Sequence, residues 1–432
     1  AVLDTLAVTI AGGGEPGVRA LMRALEPAQG GTAVRSFWGP ETYRADDAAL
    51  LYGMASHVLD YDDVSMLTVC HPSAPVLSAL LAVGGQGNRS GRQVLEAFAI
   101  GTEVLIRLGQ SMGFRHYALG FHATATLGAI GAAAAIARLE GLDERRTGHA
   151  LAIAASMASG LRKNFGSMVK SLHVGMAAAN GLKAVRLATA GIEGAAEPFE
   201  EEGFLKAFSG GGSDTWPAGL ALGRPFAIVE PGFEQKRYPC CYMLHKMIEA
   251  ALGLRRDHGI GLADVSSVRV DMPPGGTKPL IHPYPKTGLN ALFSGPYAIA
   301  ASLADGHIDL GSFADAAVAR AEIQARLPQV AIVEETGEAR TGSDLGSAPV
   351  TVTVTLTGGR TLARTISASP GSVEDPLTIE QLRAKWLDCL QRAQPALDAG
   401  SAGRLFDQWL DLAGMPGFGA WLDALRETVT RD

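Results

Sequence analysis

Four stretches in the first half of the chain repeat Ala, Leu, Ile and Met at helical spacing: Val94 to Leu108, Ala123 to Leu139, Thr147 to Leu161 and Val174 to Ala190. Side chains this small let helix backbones approach closely, so the pattern predicts a tightly packed helical bundle. Gly109, Gly120, Gly141 and Gly191 interrupt the stretches where caps or turns belong. The most apolar run, Ala123 to Ala137, is too short for a membrane span and reads as a buried helix.

The pattern changes after about Pro231. Val268, Val270 and Met272 alternate, as do Val350, Val352, Val354 and Leu356. The second run meets Gly358-Gly359 and then Leu362 to Ile366, which predicts a hairpin. Between the strands, Ser294 to Asp305 and Ser312 to Leu327 read as helices. Helical pattern returns at Thr378, where Thr378 and Gln381 have capping-box spacing and Ile379, Leu382, Trp386 and Cys389 share a face. The expected fold is mainly α: a large all-helical domain from residues 1–231 plus 378–432, with a smaller α+β domain, 232–377, inserted before the C-terminal helices. Ala1 to Ile10 already has the pattern of a helix interior, so the natural N-terminus is expected to lie upstream.

A formal charge of −7 argues against nucleic acid as a partner, because a basic face supplies most of that affinity. It leaves room for a small anion held in a locally basic pocket. Four cysteines are too few for a disulfide framework at this length, and no Cys/His spacing matches a zinc site. Reduced thiols, no membrane partner and a cytoplasmic location are the expectation.

The densest polar cluster is Asp60-Tyr61-Asp62-Asp63, followed by His71-Pro72-Ser73. A carboxylate beside an imidazole orients the ring and raises its basicity, which makes an acid/base pair; Asp/His clusters also bind metals, though no third ligand is evident, and a loop of solvated acids is the plain alternative. His122 stands at the mouth of the Ala/Gly helix, where the helix dipole favours a neutral ring; from sequence alone a helix cap or a satisfied core contact is the favoured explanation. Lys163, Lys170 and His173 lie among Phe165, Met168 and Leu172. Such lysines either snorkel to water or bind a carboxylate in a closed cleft. Lys236-Arg237 precedes Tyr238-Pro239-Cys240-Cys241, with His245 and Lys246 just beyond. A helix beginning at Cys240 would put Cys241 and His245 one turn apart, a thiolate arrangement to weigh against a buried, inert cysteine.

Taken together and in order, these stretches resemble the MmgE/PrpD family. The matching residues are Gly53 to Asp63 (GMASHVLDYDD), His71-Pro72-Ser73, Gly120 to Ala133 (GFHATATLGAIGAA), Asn164 to Gly175 (NFGSMVKSLHVG), Lys236 to Lys246 (KRYPCCYMLHK) and Phe293 to Tyr297 (FSGPY). Ser369 to Ser372 and Pro376 add to them. The resemblance implies an all-helical domain with a smaller α+β lid, a homodimer, no required cofactor or metal, and an active site in the interdomain cleft. By the pattern of the family's cis-aconitate decarboxylases, the site positions fall on Asp60, His71, His122, Lys170, Lys236 and Tyr297. Lys170 and Lys236, with Arg237 and His173, are then expected to hold carboxylates. His71, oriented by Asp60, and His122 would move protons, and Tyr297 would donate to an enolate-like oxygen.

Val64 and Cys241 depart from that pattern, which has Thr and His there, and the loop from Asp60 to His71 is one residue longer. The longer loop and the Cys241 to Lys246 run look more like the family's iminodisuccinate epimerases. The expected activity is that of a lyase or isomerase, similar to 2-methylcitrate dehydratase, acting beside a carboxylate of a small di- or tricarboxylic acid. An epimerase, an inactive anion-binding protein and a Cys241-dependent hydrolase are the alternatives.

Overall fold

The computed structural model describes residues 1–217, 220–393 and 396–430; residues 218–219, 394–395 and 431–432, inside the two expected helical segments, lie outside those described. The chain forms two compact units, one of residues 1–58, 62–233 and 379–432, the other of residues 59–61 and 234–378.

The first unit is helical. Its main elements are α1 (Val2–Gly12), α2 (Ala45–Val58), α3 (Ser73–Val83), α4 (Gly91–Ala118), α5 (Ala123–Glu140), α6 (Glu144–Met157) and α7 (Met168–Thr189). Small residues bring the backbones together as expected. A Cβ on Gly53 of α2 would fall 2.6 Å from Gly175 Cα of α7, and one on Gly175 would fall 2.1 Å from the Leu50 carbonyl oxygen. This crossing brings the last turn of α2 beside the first turns of α7. Helix α6 ends at Met157, earlier than the pattern implies, because Ala158 turns extended (ψ 127°). The residues that follow run as an extended strap, and Leu161 bridges to Phe121.

The C-terminal helices α10 (Ile379–Arg392), α11 (Ala399–Leu410) and α12 (Phe418–Thr430) belong to this unit. Lys385 on α10 lies 2.6 Å from Asp4 on α1, both buried, and Arg426 on α12 donates to Tyr52 Oη of α2 at 3.3 Å. Trp386 and Cys389 are fully buried, whereas Ile379 is exposed, so the apolar face begins one turn later than predicted.

The second unit is α+β. Strand β1 (Val265–Met272) pairs parallel with β2 (Val330–Glu334) and antiparallel with β3 (Val350–Leu356), which forms a hairpin with β4 (Thr361–Ile366); the sheet order is β2-β1-β3-β4. Helix α8 (His245–His258) packs on β3 and β4, and α9 (Gly295–Asp305) packs on α8 and β2. The alternating valines behave as read: Val268, Val270, Val350, Val352 and Val354 are all buried.

The helix expected over Ser312 to Leu327 is absent. That segment consists of one-turn pieces separated by extended Ala314 and Arg320. Its buried residues Phe313, Val318 and Ile323 are spaced by five, which rotates each roughly 140° from the last and gives a continuous helix no single face. Among the described residues, no helix is long and apolar enough to cross a membrane.

Candidate active site

In the first unit, α2 ends with His57 fully buried. Asp63 then anchors the start of α3: its carboxylate accepts from Ser73 N at 3.2 Å and from the Ser73 hydroxyl. Two residues earlier, His71 N donates to Thr124 Oγ1 at 3.1 Å, which fixes the His71 backbone to the first turn of α5. The loop between them closes through Ser65 N to Cys70 O at 2.7 Å and forces Val69 into the left-handed region (φ 51°), unusual for a β-branched residue.

His122 is the N-terminal flanking residue of α5. Its amide donates to Gly160 O at 3.0 Å while Arg162 N donates to Gly120 O at 2.8 Å, so the 158–162 strap holds it in place. Its ring makes no cap, which removes the capping explanation. Instead Nδ1 lies 3.1 Å from Nδ1 of His173 on α7. Lys170, one turn earlier on α7, is buried with its ammonium 5.4 Å from the Phe165 ring centre, and Phe165 meets the His122 ring edge-on. Lys163 is exposed.

These fragments bring four imidazoles together. The His57 ring lies 4.5 Å from that of His71 and 5.8 Å from that of His122, centre to centre. Asp62 is fully buried among them. Its Oδ2 accepts from His57 Nδ1 at 2.8 Å and lies 3.2 Å from His71 Nδ1, at a looser angle.

The electrostatics follow from burial. Burial alone works to raise the Asp62 carboxyl, but His57 and His71, by charge and hydrogen bonding, hold it well below the usual carboxylate range. Burial, with the Lys170 ammonium and the His71 ring adding to it against the pull of Asp62, brings His57 down to about 4. Burial first, then the neighbouring imidazoles and Lys170, drives His122 well below its ordinary value, and burial also lowers His173. Asp63 moves the other way, up to about 7, chiefly through burial. The cluster thus sets an ionised Asp62 among His57, His122 and His173 rings that are held neutral. An ionised Asp62 only accepts, so a ring nitrogen turned to it offers a proton, and a His71 ring that turns Nδ1–H to Asp62 has Nε2 as its accepting atom. His71 is 13 % exposed against 0 % for His57, which makes it the ring a solute reaches.

The second unit holds the other expected residues. Asp60, in a left-handed conformation (φ 48°), receives Lys236 Nζ on its main-chain oxygen at 2.8 Å and on Oδ1 at 3.2 Å. Tyr61 Oη donates to the Arg237 carbonyl at 3.1 Å. These bonds bind residues 59–61 to the second unit. Tyr297 is fully buried in the first turn of α9, with its hydroxyl donating to Ser312 O. Helix α8 begins at His245, after a single 3-10 turn from Tyr242 to Leu244, so Cys241 and His245 lack the shared helix that a thiol arrangement assumed. Burial pushes the neighbouring Cys240 thiol well up, into an inert state.

Within the first unit the carboxylate beside His71 is Asp62; Asp60, in the second, turns left-handed and meets Lys236. Sequence reading passed over His57 and Asp62 as site residues although both lie in the quoted GMASHVLDYDD stretch. The available signal was the spacing of an imidazole and a carboxylate five apart across a helix end.

Residues 1–216 match the MmgE/PrpD N-terminal domain and residues 238–405 the MmgE/PrpD C-terminal domain. The chain is 28% identical over 368 residues to cis-aconitate decarboxylase of Homo sapiens, covering 80% of this chain and 72% of that one. It is 27% identical over 363 residues to the Mus musculus cis-aconitate decarboxylase, covering 81% and 73%. It is 28% identical over 372 residues to the cis-aconitate decarboxylase-like protein oryM of Aspergillus oryzae, covering 80% and 75%. The two domain matches together span most of the sequence, and the chain belongs to the MmgE/PrpD family.

Proposed function

We propose that this protein is a lyase or isomerase that works at the carbon beside a carboxylate of a small di- or tricarboxylic acid. The observation that carries the reading is the buried imidazole cluster around a single ionised carboxylate, with Lys170 as its ammonium. Lys170 binds a substrate carboxylate by a charge-assisted hydrogen bond. His71 Nε2 removes the adjacent proton, backed by Asp62 on Nδ1. The electron pair left on carbon is delocalised into the carboxylate, whose growing charge Lys170 offsets. His122 is the second proton carrier. It delivers its ring N–H proton to a departing β-hydroxyl, which leaves as water, or to the opposite face of the carbanion; His173 passes its own proton to His122 through the Nδ1 contact and regains one from solvent, while His71 releases the abstracted proton to solvent. Lys236 and Arg237 remain candidates for further carboxylates.

The relatives are named for decarboxylation of cis-aconitate, in which the carbon–carbon bond breaks and the carbon left behind takes up a proton. The same cluster serves that step with His122 as the donor. Elimination of water is the leading reading and epimerisation the second. The deciding experiment incubates cis-aconitate and hydroxy- and amino-substituted di- and tricarboxylates with the enzyme in deuterated water. Elimination gives an unsaturated product with ultraviolet absorbance. Epimerisation gives solvent deuterium at the α-carbon without one, and decarboxylation gives carbon dioxide. No conversion of any acid, with tight binding that Lys170→Ala abolishes, would leave an anion-binding protein. Activity that survives Cys241→Ser removes the hydrolase.

A further inference from the structure

His57 has no part in the proton transfers described, yet it provides the shorter of the two imidazole contacts to Asp62. Its Nδ1 sits 2.8 Å from Asp62 Oδ2 in a hydrogen bond, whereas His71 Nδ1 lies 3.2 Å from that oxygen without hydrogen-bond geometry. The other carboxylate oxygen, Oδ1, accepts no hydrogen bond from the described residues. A carboxylate held by one well-aligned donor takes its orientation from that donor. His57 is itself fully buried in the last turn of α2, a helix whose Gly53 packs on Gly175 of α7. Its second nitrogen, Nε2, is buried and makes no hydrogen bond to the described residues, so the ring faces Asp62 through its N–H and presents no second proton.

We propose that His57 is a positioning residue: its Nδ1–H aims Asp62 at His71, which fixes His71 in the Nδ1–H tautomer and leaves Nε2 as the base. The kinetic part of this inference rests on the function proposed above; the tautomer part does not.

The test uses the full chain labelled with 15N-histidine, with the His71 resonances assigned through His71→Gln. His57→Phe keeps a ring of similar size and removes the donor. His57→Asn restores an N–H at the Nδ1 position. In the wild type, His71 Nδ1 carries the proton. In His57→Phe the His71 ring shifts toward the Nε2–H form, kcat falls roughly 100-fold with KM within about threefold, and the acid limb of the kcat/KM profile moves. His57→Asn recovers most of the rate and the wild-type tautomer. A folded His57→Phe with unchanged His71 nitrogen shifts and an unchanged pH profile overturns the proposal. If both His57 variants fail to fold, Asp62→Asn decides. It must release the His71 tautomer, and retention of the wild-type nitrogen shifts overturns the proposal in the same way. Failure of the wild type to convert any carboxylic acid would sink the functional reading while the nitrogen shifts still decide the role of His57.

Discussion

The candidate site residues of the two units are held by different partners. In the first, His57 and His71 converge on Asp62, and His122 meets His173. In the second, the corresponding side chains reach main-chain oxygens, with Lys236 meeting Asp60 Oδ1 as well. Lys236 donates to Asp60 O, Lys246 to Gly346 O at 2.7 Å and Ala348 O at 2.6 Å, Tyr61 to Arg237 O and Tyr297 to Ser312 O. A side chain bonded to a carbonyl holds a loop in place. A neutral imidazole bonded only to another side chain keeps a proton or lone pair that can be redistributed at small structural cost. Burial alone does not mark a reactive group; the identity of its partner does.

The sharpest way to break this contrast is to remove groups from the first cluster. His71→Ala and Lys170→Ala should each lower kcat/KM by about 10²–10⁴-fold with the fold retained, as measured on the best carboxylic acid from the screen. An effect within threefold from either would place the chemistry elsewhere.

The next effect is on stability. His57 falls to about 4 in the folded protein from an ordinary 6.5, so the unfolded chain gains a proton through that window while the folded one does not. The folded state therefore loses stability as pH drops from 6.5 toward 4, by roughly 3 kcal/mol for this ring, and His122 adds in the same direction. Urea unfolding at pH 7 and pH 4.5 measures it. In His57→Phe the loss should shrink, and an identical acid loss in that variant contradicts the assignment.

Binding of a polycarboxylate at the cluster would be coupled to the same rings. A bound polycarboxylate places negative charge beside imidazoles that burial has kept neutral, which favours their protonation. Affinity for a non-reacting tricarboxylate should rise about tenfold for each pH unit lowered between 7.5 and 6 if one proton is taken up. Calorimetry in buffers of different ionisation enthalpy counts that proton, and zero uptake would mean that the anion binds away from the cluster.

How much of this was readable in advance divides along the same line. The helical bundle and the strand alternation were legible because burial imposes a period on the sequence, as the valines of β1 and β3 show. The broken 312–327 segment was not, since its alanines have helical propensity while its core residues fall five apart. Among site residues, His71, His122, Lys170 and His173 stood out by type and company, and the structure brings them into one cluster. Asp62 was not singled out among three neighbouring acids, because its place beside His57 and His71 depends on the path of the backbone beyond the helix end, which composition does not reveal. His57 was passed over because a histidine inside an apolar helix usually has a structural partner.

The smallest expected effect tests the other side of the comparison. Tyr297 was expected to stabilise an enolate-like oxygen, yet it is fully buried with its phenol proton on Ser312 O, and burial pushes that phenol up to about 12. A group so held behaves as Lys246 does, as a brace for the segment that follows α9. Tyr297→Phe deletes one neutral hydrogen bond and leaves the Ser312 carbonyl without its donor, so it should cost about 1–2 kcal/mol of stability. The same variant should leave kcat within about threefold, because no transition-state contact is lost. Thermal unfolding and steady-state rates on one preparation read both. A rate loss of 100-fold or more with unchanged stability would reverse the assignment, returning Tyr297 to the reacting oxygen and showing that its bond to Ser312 is exchanged when substrate binds.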